Sequence, residues 1–154
     1  MKIVIDDLMG DDIAQFLQAH LDDMRATSPP ESKHALDLEG LRQSDITFWT
    51  VWDNGELVGC GALKQLDHQH AELKSMRTSA VHRGQGVASF LLQHIIQVAR
   101  ERQYQKVSLE TGSMDFFQPA RQLYAKFGFQ YCPPFADYNE DPNSVFMCMT
   151  LAER

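Results

Sequence analysis

Residues 83–88 read Arg83-Gly84-Gln85-Gly86-Val87-Ala88, a pattern able to hold phosphate. A strand predicted over residues 71–78 runs into this loop and a long apolar-faced helix leaves it. The unpaired N–H groups of that helix N-terminus therefore point at whatever sits there. Gly84 and Gly86 lack a Cβ and let a diphosphate approach the backbone; Arg83 adds a forked, permanent cation and the helix dipole adds partial positive charge. Taken alone, Gly-x-Gly also suits a plain turn. The third glycine and following acid of a dinucleotide fingerprint are missing, as is the Gly-Lys-Ser/Thr of a P-loop. A Gly-x-Ser-x-Gly elbow is missing too, which sets a Ser-His-Asp hydrolase aside. Cys60 and Cys132 lack the cationic or helix-start setting of a reactive thiolate. His68 and His70 stand two apart in a predicted turn with no further ligand cluster, so an exposed loop is preferred to a metal site.

The order Arg-x-x-Gly-x-Ala after a strand, then a helix, a strand and Ala120-x-x-Leu123-Tyr124-x-x-x-Gly128-Phe129, resembles the GNAT superfamily of acyl-CoA-dependent N-acyltransferases. The resemblance covers most of the chain, with its specific motifs between Glu72 and Phe129. It implies acetyl-CoA bound at Arg83, Gly84, Gln85, Gly86, Val87 and Ala88. It also implies that backbone N–H groups of Met76, Arg77 and Thr78 hold the thioester carbonyl and the pantetheine arm.

The same resemblance gives Tyr124 the part of protonating the departing sulfur, for which a phenol of pKa about 10 is ready at neutral pH. Its other reading is a core aromatic beside Leu123 and Phe127. An acceptor amine of pKa about 10 is neutral only about once in 10³ molecules at pH 7, so a carboxylate has to take its proton. Glu72 is the first candidate, on the strand where related enzymes frequently carry such a base, and Glu110 on the neighbouring strand is the second. A paired carboxylate in a sheet is the other reading of either. His34, Asp37 and Glu39 fall where the family often lines its acceptor pocket, and they equally suit a solvated helix face. Phe117 stands three before Ala120, where the superfamily often has asparagine, and takes away a side-chain hydrogen bond to the cofactor arm.

The elements that must position these groups follow from periodicity. Lys2 to Ile5 reads as a strand. Asp11 or Asp12 can cap a helix with Ile13, Phe16, Leu17, Leu21 and Met24 on one face, and a weaker helix is predicted over residues 31–42. Strands at 46–52 and 57–63 flank Asn54-Gly55, the signature of a type I′ hairpin. Gly59 and Gly61 in the second mark a bulge or a close approach. Along residues 71–78, alternation puts Glu72, Lys74, Met76 and Thr78 on one face unless a bulge resets the register. The helix from Gly86 is expected to bury Val87, Phe90, Leu91, His94, Ile95 and Val98, widened by Ala88, Leu92, Ile96 and Ala99. Residues 106–111 form a strand, Pro119 opens the next helix and Gly128 ends it as a left-handed cap. Two last strands, 129–132 and 145–151, enclose a long loop.

The fold this implies is α+β, a GNAT-like single domain over residues 1–154. Its central mixed, mostly antiparallel sheet is flanked by about four helices and splayed between the fourth and fifth strands.

Composition narrows the partners. With 14 basic and 21 acidic residues in 154, the net charge of −7 disfavours nucleic acid. No apolar run approaches membrane-spanning length and no signal-peptide pattern opens the chain, so a cytoplasmic protein is expected. Cys60, Cys132 and Cys148 lack disulfide or metal spacing. The expected function is transfer of the acetyl group of acetyl-CoA directly to an amine, a small molecule first, without a metal. A protein or peptide acceptor, or a non-catalytic acyl-CoA-binding module, is the alternative. Monomer and homodimer both stay open.

Overall fold

The computed structural model describes residues 1–27 and 38–151. In chain order these are β1 (Lys2–Ile5), α1 (Asp11–Thr27), α2 (Leu38–Leu41), β2 (Ile46–Asp53), β3 (Glu56–Gln65), β4 (His70–Thr78), α3 (Val87–Glu101), β5 (Lys106–Gly112), α4 (Gln118–Lys126), β6 (Gln130–Cys132) and β7 (Ser144–Thr150). Short 3₁₀ turns at Ala80–His82 and Asp115–Phe117 precede α3 and α4. The described strands form one sheet in the order β1-β2-β3-β4-β5-β7-β6. Among the described strands only the β4/β5 pair is parallel. This is the expected mixed α+β sheet. Asn54 and Gly55 carry φ of 52° and 81°, as a type I′ turn demands.

Alternation sorts the strands between two faces. Trp49, Val51, Leu63, Leu73, Val107 and Leu109 pack with Leu91, Leu92 and Ile95 of α3 in the larger core. Phe48, Cys60 and Ala62 turn the other way, toward Leu8, Ile13, Leu17 and Leu41. Gly59 and Gly61 let α3 sit close. A Cβ on Gly59 would lie 2.7 Å from Val87 Cγ1, and one on Gly61 would lie 3.1 Å and 3.2 Å from the tips of Leu91 and Ile95.

Two expectations are corrected. Phe90 is 39% exposed rather than buried, because the sheet covers only the stripe Val87, Leu91, Leu92, Ile95, Ile96 and Ala99. His94 and Val98 are half-buried. Asp11 and Asp12 lie inside the first turn of α1, where their charges favour the helix dipole, and do not cap it.

A bulge divides β4. Cys60 pairs with Arg77 and Ala62 with Lys74, so Ser75 and Met76 together oppose Gly61, and Ser75 takes φ of 58°. Register therefore resets. Glu72 and Lys74 stand on the α1 face, Met76 packs against the larger core, and Arg77 returns to the α1 face with its guanidinium 5.6 Å from the Phe16 ring. The parallel ladder runs from His70↔Lys106 to Leu73↔Leu109 and stops there. Past that point β4 follows β3 and β5 follows β7, which leaves the splay. Among the described residues no helix is long and apolar enough to cross a membrane.

Candidate active site

β4 ends in the glycine loop and α3. Gly84 and Gly86 have φ of 80° and 84°, a left-handed backbone that an L side chain adopts only with strain, and no atom stands where their Cβ would be. Gly86 caps α3, and Phe90 N–H donates to its carbonyl at 3.0 Å. The loop is anchored upstream, where Ser79 N–H donates to Val58 O at 2.8 Å. The resulting N-terminus of a 15-residue helix presents N–H groups and a positive dipole end beside Arg83.

β5 ends in α4 by a parallel route. Arg121 Nη1 donates to the carbonyls of Gly112 at 2.6 Å and Met114 at 3.0 Å, which fixes the connection. Pro119 sits in the first turn of α4. Gly128, with φ of 107°, ends it, while Phe129 N–H reaches back to Tyr124 O at 3.0 Å. Tyr124 is thereby held in the larger core, 7% exposed, with its ring against Phe129. Burial raises the phenol pKa well above the ordinary tyrosine range, so it keeps its proton at any physiological pH.

The α1 face carries the carboxylates. Glu72 is 3% exposed, and its Oε2 accepts from Lys74 Nζ at 2.9 Å and from Tyr138 OH at 2.6 Å. Lys74 Nζ also donates to Tyr138 OH at 3.1 Å, which closes a triangle. Tyr138 is raised in pKa by burial first, then by the Glu72 charge and hydrogen bond and by the Glu110 charge, so both carboxylates act on this phenol. Glu110, half-buried, is the first β5 residue past the parallel ladder and accepts from Ser144 Oγ at 2.8 Å. His70 Nε2 and Ser108 Oγ meet at 2.6 Å in the row behind, and burial lowers the His70 pKa. Phe135 and Phe146 pack their rings on Tyr138.

Met76, Arg77 and Thr78 lie on the β4 side of the splay, and residues 83–88 at its end. Glu72 and Glu110 share one face and the charges of both raise the Tyr138 pKa, while Tyr124 is in the core on the opposite face. His34 and Asp37 lie outside the described residues. Lys74 and Tyr138 escaped sequence reasoning. An alternating Glu-x-Lys was the available signal for Lys74, but Tyr138 sits in the aperiodic 133–143 loop and nothing local ties it to Glu72. Cys60, Cys132 and Cys148 are free thiols, with burial pushing Cys60 up to about 12. No group of three or more His, Cys, Asp or Glu placed to hold a metal occurs among the described residues.

The model of the acetyltransferase (GNAT) family matches residues 13–129. Over 151 residues the chain is 60% identical to the N-acetyltransferase YsnE of Bacillus subtilis (strain 168), covering 98% of this chain and 100% of that one. It is 49% identical to the N-acetyltransferase YedL of Escherichia coli (strain K12), covering 98% and 95%. The fold matches a GNAT family acetyltransferase from Elizabethkingia anophelis crystallised with acetyl-CoA bound, with a TM-score of 0.65, 18% identity and 97% of each chain covered.

Proposed function

The chain belongs to the acetyltransferase (GNAT) family and is an acetyl-CoA-dependent N-acetyltransferase, and on that premise we propose direct transfer to a small amine with Tyr124 as acid and a β4 or β5 carboxylate as base. One observation carries the reading. The only parallel pair among the described strands parts just beyond Leu73 and Leu109, and each strand then leads to a helix start: the glycine loop with α3 from β4, and α4 with Tyr124 from β5. Ligands of such sheets sit in the crevice outside the carboxyl ends of parallel strands.

In this reading Arg83, Gly84, Gln85, Gly86, Val87 and Ala88 hold the diphosphate, and the backbone of Met76, Arg77 and Thr78 holds the thioester arm. The amine nitrogen attacks the thioester carbon while its proton passes to a carboxylate. The C–S bond then breaks, and the sulfur takes the Tyr124 proton. Glu72 is the base proposed first, its carboxylate 2.9 Å from Lys74 Nζ. A second reading favours Glu110, because Glu72 Oε2 accepts two hydrogen bonds and is 3% exposed, whereas Glu110 is half-buried and is the first β5 residue past the parallel ladder. Placement of the reaction in the cytosol and of His34 and Asp37 at the acceptor belongs to the same proposal.

Free-thiol release from acetyl-CoA across amines, amino acids and short peptides tests it. Small amines should support release, and Tyr124→Phe should lower kcat by about 10²-fold or more. Release with peptides alone would overturn the acceptor class. Of Glu72→Gln and Glu110→Gln, the base variant should lose the acid limb of the pH profile while the other keeps it.

A further inference from the structure

Phe116 is a 42% exposed aromatic on the turn that joins β5 to α4, at the edge of the splay. Its position is held from behind. Phe117 meets it edge-on, with centroids 5.0 Å apart at 85°, and Phe117 itself fills the place a Cβ on Gly112 would take. The Gly112 and Met114 carbonyls are tied in turn by Arg121. From across the splay Arg83, first residue of the glycine loop, brings its guanidinium 5.7 Å from the Phe116 centroid. So the loop after β4 and the turn after β5 touch here. A cation over an exposed ring is a weak contact, and a diphosphate offers that guanidinium a stronger, charge-assisted partner.

We propose that Phe116 is the stacking platform for the nucleobase of acetyl-CoA, taking the base on the ring face that Arg83 gives up when it turns to the diphosphate. The proposal rests on the assignment of residues 83–88 to that diphosphate. A nucleobase lies one ribose from its diphosphate, and Phe116 lies one side chain from the loop. Stacking on an aromatic ring asks only for a π-face, so this contact discriminates for the nucleoside end of the donor without reading its edges. It also gives the place where the superfamily often has asparagine a different use: Phe117 supports its neighbour instead of bonding the pantetheine arm.

The test compares CoA with 4′-phosphopantetheine, which keeps one phosphate of the diphosphate and lacks the nucleoside with its own phosphates, by calorimetry on the full chain. Phe116→Ala should weaken CoA by about tenfold and leave 4′-phosphopantetheine unchanged, and Phe116→Trp should restore CoA. Unchanged CoA affinity in Phe116→Ala, or an equal loss for both ligands, overturns the platform. Unchanged CoA affinity in Arg83→Ala overturns the diphosphate assignment beneath it, a failure read on a different variant and so separable from the first.

Discussion

Lys74, Glu72 and Tyr138 form a triangle in which each group satisfies the other two, with the lysine and glutamate side chains 9% and 4% exposed. Removing one ion from such a pair strands a buried charge, which costs more than the pair itself contributes. Lys74→Met should therefore cost about 3–5 kcal/mol in urea unfolding, and Lys74→Met with Glu72→Gln should recover a large part of it. Equal losses in the single and double variants would show that the lysine acts through its packing. Tyr124 differs. It is held by an aromatic neighbour and a helix cap, so its phenylalanine variant should fold as the wild type does and report on chemistry alone.

At the scale of elements, the spacing between α3 and the sheet sets where the glycine loop lies. Gly59 faces Val87, the first residue of α3, and its added Cβ would also lie 3.2 Å from Arg77 O. Neither neighbour yields easily, since a β-branched side chain has few rotamers and the other atom is backbone. Gly59→Ala should lose about 1–3 kcal/mol by thermal unfolding, as overpacking does, and should weaken CoA by moving the loop. Val87→Ala in the same chain should recover stability. Gly61→Ala should be milder, because the nearest atom to its new Cβ is Met76 Sδ, at the flexible end of its side chain. A loss at Gly61 as large as at Gly59 would contradict this account.

For the whole molecule, burial raises the pKa of Cys60 to about 12 and moves Tyr124 and Tyr138 upward as well. The folded chain thus keeps protons that the unfolded chain releases, near pH 9 for the thiol and near 10 for the phenols. The stability they contribute is fully present below those unfolded values and is lost as pH rises through the folded ones. The melting temperature should fall from about pH 9 upward, and Cys60→Ala should flatten the first part of that fall. A wild-type curve flat to pH 11 would refute it. On the acid side the lowered His70 pKa acts in the opposite sense, with stability present above about 6.5 and declining as pH falls below it.

Much of this architecture was written locally. Strand alternation at residues 46–52, the Asn54-Gly55 turn, the Arg83–Ala88 loop, Pro119 and Gly128 each depend on a few neighbours along the chain, because φ preferences and side-chain periods act over one or two turns. Those signals were enough for the order of elements, the glycine loop and the family. Three things needed the packed molecule. The bulge opposite Gly61 exchanged the faces of Met76 and Arg77 relative to Glu72 and Lys74, and only cross-strand register reveals it. Phe90 stayed outside because the width of the sheet, not the helix, decides how many stripes of α3 are covered. Tyr138 reached Glu72 across 66 positions, a contact stabilised only after the sheet and the 133–143 loop are both in place. Sequence therefore determined which groups could do chemistry, and tertiary structure decided which of them meet, since long-range contacts depend on the joint closure of distant segments rather than on any one of them.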